Sequence, residues 1–387
     1  MIFQTASKFL LSNMKKSIII LLALFITINC FAQLSVKVPV TIDRTGSHDV
    51  TSELISFLAG VPDSSIIDFP VNGKYRVEGT LQLLKRNDLV INGNCSLIFA
   101  TTAGNKTGYA SRGRFPDRTR SQWSLENCDN ITLRNFVIKG ANPNGGPGEN
   151  AYVSALEAQH AFNIVGSTNV LIQNNIASDV YGDFVYIGGT GTQNITVKGN
   201  RFEKNGRQGI AVSHGENILI DSNYLRYMRR SVIDIEANTD RGIINNVRIT
   251  HNDLGASRLL LFANGGQSYH INNIYFAHNI VAGGSGGIQV LNKEIEGKRG
   301  PYTFEYNTFF GFRGSPSPVF KVIGAKDVIM RNNSISVPVK RKMTAIRLVA
   351  TENAKISGNT FNGAIVAVAA DSTNVKVFQE NNRLLLK

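Results

Sequence analysis

The residues best suited to chemistry lie in the stretch RRSVIDIEAN, residues 229–238. Its alternation predicts a β-strand in which Ile233 and Ile235 face a core, while Asp234 and Glu236 share the opposite face. Two carboxylates about 5 to 9.5 Å apart suit acid–base or nucleophilic cleavage of a glycosidic bond. Their backbone spacing of about 6.6 Å does not choose between retaining and inverting hydrolysis. The competing interpretation is an ordinary ion-pair network on a solvated strand.

These acids lie within a repeat that ends in asparagine. Its form is Asn or Asp, an apolar residue, any residue, an apolar residue, two more residues and Asn. Copies include NVLIQNN (169–175), NITVKGN (194–200), NILIDSN (217–223), NVRITHN (246–252) and NIYFAHN (273–279). A period of about 21 to 29 residues with no helical pattern predicts a solenoid of two or three strands per coil, a parallel β-helix. We expect about ten coils, with the terminal asparagines forming a hydrogen-bonded ladder in left-handed turn positions.

Stacking the coils by their inward apolar pairs brings further polar residues beside the two acids. The aligned pairs are Phe162/Ile164, Val185/Ile187, Ile210/Val212 and Ile233/Ile235. One outward column then contains Asn163, Tyr186, Ala211 and Asp234, and another contains Gln159, Gly182, Arg207 and Arg230. The predicted catalytic residues are Asp234, Glu236 and Asp183. The predicted substrate-binding residues are Arg207, Arg230, Tyr186, His160, Asn163 and Glu157.

Three functions are compatible with this set. The carboxylates favour a glycoside hydrolase. A polysaccharide lyase would instead use the arginines to neutralise a uronate, with Tyr186, His160 or Lys204 as base. A non-catalytic β-helix that binds glycans or serves as a surface scaffold is the third alternative. Two long interruptions of the repeat, residues 103–122 and 140–154, are expected to form a wall beside the same face.

The N-terminus predicts export. Met14-Lys15-Lys16, the apolar run 18–28 and the small residues before Gln33 form a signal-peptide pattern, so residues 1–32 are expected to be removed, and Met14 could be the initiator. Removing their three lysines lowers the net charge from +13 to +10. A basic exported protein suits a secreted, periplasmic or cell-surface location and acidic partners such as uronate polysaccharides. Nucleic acid is not an expected partner, and no run after Gln33 is long enough to span a membrane. The two remaining cysteines, Cys95 and Cys128, could pair.

The mature chain, residues 33–387, is expected to form one domain with an N-terminal cap at about residues 43–83. HDVTSELISFLAG (48–60) has a helical apolar pattern that would cover the first open coil. Together with IDFPVNGKYRV, GTLQL and LVINGN it resembles the opening of pectate-lyase-like right-handed β-helix proteins, which include polysaccharide lyases, polygalacturonases, epimerases and phage tailspikes. The resemblance implies an all-β right-handed fold over nearly all of the mature chain.

The resemblance implies less about chemistry than about fold. The polygalacturonase pattern of Asn-Thr-Asp, Asp-Asp, Gly-His-Gly and Arg-Ile-Lys is absent from the sequence. The aspartate cluster that binds calcium in pectate lyases is not evident either. No catalytic residue is therefore transferred from the family, and no metal ligand or cofactor is predicted, with calcium as the open alternative for a lyase. The oligomeric state is left open, with a monomer as the working expectation.

Overall fold

The fold is known for most of the chain after residue 32. A computed structural model describes residues 33–104, 120–237, 242–255, 259–262, 270–283, 287–291, 299–311, 318–337, 344–363 and 366–385. The predicted signal peptide and most of segment 103–122 lie outside the described residues. Ser35–Lys387 forms one compact unit.

The described strands form three parallel sheets, which we call A, B and C, and each coil passes from A to B to C. Sheet A contains β1 (Leu34–Lys37), β3 (Ser65–Asp68), β6 (Asn87–Asn92), β9 (Asp129–Arg134), β12 (Thr168–Gln173), β15 (Gln193–Lys198), β18 (Gly215–Asp221), β21 (Ile243–Thr250), β24 (His270–Ala277), β27 (Tyr302–Glu305), β30 (Lys326–Arg331), β33 (Glu352–Ser357) and β36 (Val375–Glu380). Sheet B contains β2 (Thr45–Asp49), β4 (Lys74–Arg76), β7 (Leu97–Phe99), β10 (Val137–Lys139), β13 (Ile176–Ser178), β16 (Arg201–Glu203), β19 (Tyr224–Arg226), β22 (Asp253–Gly255), β25 (Ile280–Ala282), β28 (Thr308–Phe310), β31 (Ser334–Ser336), β34 (Thr360–Asn362) and β37 (Arg383–Leu385). Sheet C contains β5 (Leu81–Leu84), β8 (Trp123–Glu126), β11 (Phe162–Val165), β14 (Val185–Gly188), β17 (Ile210–Val212), β20 (Ser231–Ile235), β23 (Leu259–Phe262), β26 (Ile288–Leu291), β29 (Phe320–Ile323), β32 (Thr344–Val349) and β35 (Val366–Ala370).

The predicted parallel β-helix is confirmed, with slightly more coils than the sequence indicated. Sheet C has 11 described strands, and sheets A and B have 13 each. The expected count was about ten, because the irregular first and last copies were not counted as full coils. Alternation explains the core: in β12 the side chains of Val170 and Ile172 are buried inside the coil, as period-2 patterning requires.

The predicted asparagine ladder is also present, in a buried position where sheet A turns into sheet B. The ladder residues are Asn175, Asn200, Asn223, Asn252, Asn279, Asn307, Asn333, Asn359 and Asn382. The expectation that these residues adopt the left-handed conformation was wrong. The residue before each of them does so, as at Asn174 (φ 54°), His251 (φ 55°) and Tyr306 (φ 55°). The ladder asparagine itself remains free to bond along the stack.

The predicted capping helix is present as α1 (Thr51–Gly60), which buries Leu54 and Leu58. Two short 3-10 helices, Glu149–Ala151 and Ser154–Leu156, lie between β10 and β11. No helix in the described part of the chain is long and apolar enough to cross a membrane. Cys95 is exposed and Cys128 is buried, and neither forms a disulfide.

The register of sheet C agrees with the predicted alignment of the coils. Phe162 pairs with Val185, Val185 with Ile210, and Ile210 with Ile233. The column Asn163, Tyr186, Ala211 and Asp234 follows directly from the same register. The polar residues singled out from the sequence therefore lie on adjacent coils.

Candidate functional site

The predicted site residues lie where sheet B turns into sheet C in three successive coils. These turns are residues 179–184, 204–209 and 227–230, followed by β14, β17 and β20. The connection from β10 to β11, which we call loop 140–161, packs over the same turns. It is the structural form of the predicted interruption at 140–154.

Close backbone contacts fix loop 140–161 in place. The N–H group of Gly146 donates to the carbonyl of Asn205 (3.0 Å). At Gly206, a Cβ atom would lie 2.4 Å from the carbonyl oxygen of Ala151, so only glycine allows the loop to approach this closely. The loop therefore lies beside the site as the sequence analysis expected. The other predicted wall segment falls almost entirely outside the described residues.

Side chains of the loop also pair with arginines of the turns. Glu149 forms an ion pair with Arg229, which is buried. The guanidinium of Arg230 lies over the ring of Tyr152, 5.2 Å from its centroid. Arg230 is exposed and has no ion-pair partner among the described residues.

Glu157, a predicted substrate-binding residue, lies at the edge of the same cluster. Its side chain is 43% exposed, and Oε2 accepts a hydrogen bond from the hydroxyl of Tyr152 (2.7 Å). The same oxygen lies 3.3 Å from Nε of Arg207. Glu157 therefore connects the loop to the charged residues beneath it while remaining open to solvent.

Asp183 and Arg207 form a buried ion pair. Asp183 is fully buried, and its Oδ2 accepts a hydrogen bond from Nη1 of Arg207 at 2.6 Å. Its Oδ1 accepts the backbone N–H of Gln208 at 2.9 Å. Burial raises the pKa of Asp183 to about 6 against the opposing effect of Arg207. Desolvation lowers the pKa of Arg207, but the nearby carboxyl groups of Asp183, Glu157 and Asp234 outweigh it, so the pKa of Arg207 is raised. Asp183 is therefore an anion at neutral pH, and it is the buried partner of Arg207.

His160 and Tyr186, both predicted to bind substrate, are stacked on one another. Their ring centroids are 5.1 Å apart with planes 13° apart. His160 is buried, and its Nδ1 accepts the backbone N–H of Asp183 (3.0 Å), which places the ring proton on Nε2. Burial, assisted by Arg207, lowers the pKa of His160 to about 3, so the ring is neutral. Ser213 donates a hydrogen bond to the hydroxyl of Tyr186 (2.7 Å), and Tyr186 itself is partly exposed.

Asp234 is buried, which differs from its predicted place on an exposed outer column. Only 2% of the residue is exposed, and the side chain of Gln208 on the neighbouring coil donates its amide N–H to Oδ2. Burial raises the pKa of Asp234 to about 8, with further contributions from Glu236 and Asp183. At neutral pH Asp234 is therefore an uncharged carboxylic acid.

The remaining predicted residues stay accessible. Glu236 is partly exposed and lies two residues beyond Asp234, just after β20. Asn163 is partly exposed and donates its amide to the hydroxyl of Ser124 (3.0 Å). The site thus combines a neutral acid, a partly exposed carboxylate and an exposed cation. Among the described residues no group of three or more histidine, cysteine or acidic side chains could hold a metal ion.

The site also contains three residues that were not predicted from the sequence: Gln208, Tyr152 and Glu149. A signal was present for Gln208, because His160, Asp183 and Gln208 are polar residues at equivalent points of three successive coils. Tyr152 and Glu149 gave no comparable signal, since they lie in a loop whose path the repeat does not fix.

The raised pKa of Asp234 predicts a specific pH dependence of stability. Between its unfolded pKa near 3.8 and its folded pKa of about 8, the folded state holds a proton that the unfolded state has lost, so stability falls as pH rises. Asn does not titrate. The stability of Asp234→Asn relative to the wild type should therefore grow from about pH 5 to about pH 8, by no more than about 1.4 kcal/mol per pH unit, and then level off. Urea unfolding of both proteins across this range measures the difference, and a difference independent of pH would contradict the burial of Asp234. The charged groups that face Asp234 are the same in both proteins, so their direct contributions to the difference in stability largely cancel. These groups are Glu236, Asp183, Arg207 and Arg230.

Comparisons with known proteins give the same architecture. Residues 123–309 match the family model described as the right-handed β-helix region. Among curated proteins, none matches this sequence. The chain is similar to the endo-xylogalacturonan hydrolase from Aspergillus tubingensis, with a TM-score of 0.62, 16% identity, and coverage of 90% of this chain and 96% of that one.

Two other solved structures show similar agreement. The family 28 exopolygalacturonase of Yersinia enterocolitica has a TM-score of 0.62 and 12% identity, covering 91% of this chain and 78% of that one. PfbA, a surface adhesin of Streptococcus pneumoniae, has a TM-score of 0.63 and 15% identity, covering 88% and 89%. At these identities the likeness is evidence for the fold alone.

Proposed function

We propose that this chain, a right-handed parallel β-helix that resembles the pectate-lyase-like proteins, is a secreted glycoside hydrolase acting on a polysaccharide. One observation carries the proposal: a carboxylic acid that is neutral at pH 7, Asp234, precedes a partly exposed carboxylate, Glu236, on a face flanked by loop 140–161. Two carboxyl groups whose environments hold them in different protonation states can divide acid and base work.

The two acids would have complementary roles. Asp234 would give its proton to the glycosidic oxygen as the bond between that oxygen and the anomeric carbon breaks. Glu236 would either remove a proton from the attacking water or attack the anomeric carbon itself. Arg230 and Tyr186, which are accessible, would contact sugar units, with Asn163 and Glu157 at the edge of the same face.

Three of the predicted residues would act indirectly. Asp183 was predicted to be catalytic and Arg207 and His160 to bind substrate, but each already has a fixed partner: Asp183 and Arg207 form an ion pair, and Nδ1 of His160 accepts the backbone N–H of Asp183. The Asp183–Arg207 pair would keep the turn before β17 in place, and neutral His160 would support the ring of Tyr186. These three are therefore proposed as positioning residues.

The same contacts make the lyase alternative weaker. A lyase needs a base and free cations beside a uronate. Arg207 and Arg229 are already paired with carboxylates, and His160, one of the three predicted bases, is buried and has no free proton-accepting nitrogen, since Nδ1 is bonded. Arg230 and the other two predicted bases, Tyr186 and Lys204, stay accessible. Calcium would be expected only for a lyase. The non-catalytic alternative stays open, because a surface adhesin has a similar fold.

A product screen tests the proposal. The mature protein, residues 33–387, is incubated with a panel of neutral and acidic polysaccharides. We expect new reducing ends without unsaturated sugars. Unsaturated products would identify a lyase, and glycan binding without product across the panel would support the non-catalytic alternative.

Arg230 should select for acidic glycans within this scheme. It is an exposed guanidinium, braced by Tyr152 and near Asp234, and a substrate carboxylate or sulfate could bind it in a bidentate manner. Arg230→Gln should raise KM for an acidic polysaccharide by about tenfold, and less at high salt, because screening weakens the contact.

A matched control is available in Arg201, which is also exposed and also lies over a tyrosine, Tyr224, but on sheet B. Arg201→Gln should leave KM unchanged. Equal effects of the two variants on KM would show that the substrate is attracted by the net positive charge of the protein and not by a specific contact with Arg230.

A further inference from the structure

The side-chain amide of Gln208 connects Arg207 to the buried Asp234 in a fixed direction. Gln208 is 4% exposed. Its Oε1 accepts a hydrogen bond from Nη1 of Arg207 (2.6 Å), and its Nε2 donates to Oδ2 of Asp234. Because a guanidinium can only donate, Arg207 holds Oε1 on its own side and turns the NH₂ group toward Asp234.

Arg207 cannot easily release this amide. Its Nη1 also bonds to Oδ2 of the buried Asp183 (2.6 Å), and its Nε lies 3.3 Å from Oε2 of Glu157. Turning the Gln208 amide over would place its NH₂ against the guanidinium, two donors facing each other in a buried position. The orientation of the amide is therefore dictated by the ion pair beneath it.

The direction of the amide determines which oxygen of Asp234 carries a proton. An N–H donor requires an acceptor, so Oδ2 must be the unprotonated (carbonyl) oxygen of the carboxyl group. The other oxygen, Oδ1, is buried and has no hydrogen-bond partner among the residues that the structure describes. We propose that Gln208 is a positioning residue that holds the acid proton of Asp234 on Oδ1.

This placement has a consequence for catalysis, which rests on the proposed function. A proton on Oδ1 is engaged in no hydrogen bond that must break before transfer, whereas a proton on Oδ2 would be directed at the amide of Gln208. The NH₂ group also stabilises the ionised form of Asp234 after the proton has left. Arg207 and Arg230 also favour the ionised form of Asp234, whereas Glu236 and Asp183 disfavour it.

Infrared difference spectroscopy tests the proton position without requiring activity. Subtracting the spectrum of Asp234→Asn in each background isolates the carboxylic C=O stretch of Asp234 at neutral pH. If Oδ2 is the carbonyl oxygen, it accepts from Gln208, and Gln208→Met should move the band to higher frequency by removing the donor. An unchanged band would overturn the proposal, because the carbonyl oxygen would then be Oδ1.

Gln159 provides a matched control. It is also a buried glutamine whose Oε1 accepts from an arginine, Nη2 of Arg120 (3.3 Å), but no hydrogen bond joins it to Asp234. Gln159→Met should leave the band in place. A shift of the band in Gln159→Met as large as that in Gln208→Met would also overturn the proposal.

Kinetics then separate this proposal from the proposed function. Gln208→Met should lower kcat by about tenfold with little change in KM, and should move the basic limb of the pH profile up by about one pH unit, since a stabilising donor is lost. Gln208→Glu should move the limb further, because a second carboxylate would face Asp234. A shifted infrared band with an unchanged basic limb would support the proton position and overturn Asp234 as the catalytic acid.

Discussion

Asp234→Asn and Glu236→Gln are each expected to lower the rate of glycan cleavage by about 10²- to 10⁴-fold, the usual contribution of a general acid or base. Asparagine keeps the shape of the uncharged acid, but its amide is too weak an acid to protonate the glycosidic oxygen. Glutamine in place of Glu236 can neither accept a proton from water nor attack the anomeric carbon. The measurement is kcat/KM on whichever polysaccharide the product screen identifies.

Folding provides the control for this pair of variants. Asp234→Asn should be at least as stable as the wild type at neutral pH, because Asp234 is already uncharged there. Glu203→Gln removes a partly exposed carboxylate from sheet B and should leave kcat/KM unchanged. Full activity in both site variants would remove these two acids from the mechanism.

Arg207→Met is expected to cause the largest loss of stability, about 3–5 kcal/mol in the free energy of unfolding. It removes the charged partner of Asp183, which is fully buried, and leaves an uncompensated carboxylate in the protein interior. It also frees the amide of Gln208 from its fixed direction. Urea unfolding at neutral pH measures the loss.

Arg226→Met is the matched control. The side chain of Arg226 is 22% exposed, close to the 18% of Arg207, but its partner Asp253 is 38% exposed. A pair open to solvent contributes about 1 kcal/mol or less. Adding Asp183→Asn to Arg207→Met should recover part of the loss, and equal losses in Arg207→Met and Arg226→Met would contradict a special role for the buried pair.

The fold could be predicted from the sequence because each coil of a solenoid repeats the same alternation of apolar and polar residues. The apolar pairs Val185/Ile187 and Ile233/Ile235 fixed the register, and that register placed Tyr186 and Asp234 in one column, as observed. Period-2 alternation indicates which way a side chain leaves the backbone. The alternation does not indicate which other residues pack over that side chain in the folded protein.

Burial and pairing within the site could not be predicted for this reason. Asp234 points away from the coil interior but is covered by Gln208, which comes from a turn whose side-chain directions the repeat does not fix. Arg207 could have paired with any of several acids, and its choice of Asp183 depends on the path of that turn. Loop 140–161 lies outside the repeat, so Tyr152 and Glu149 could not be assigned to the site.

Product analysis in heavy-oxygen water tests whether Asp234 and Glu236 carry out hydrolysis. Wild-type protein is incubated with a polysaccharide that it cleaves, and the new reducing ends are examined by mass spectrometry. Hydrolysis at Asp234 and Glu236 predicts one heavy oxygen atom in each new reducing end, with labelled product reduced at least about 100-fold in Asp234→Asn and Glu236→Gln. Cleavage products that carry an unsaturated sugar and no heavy oxygen would contradict the account.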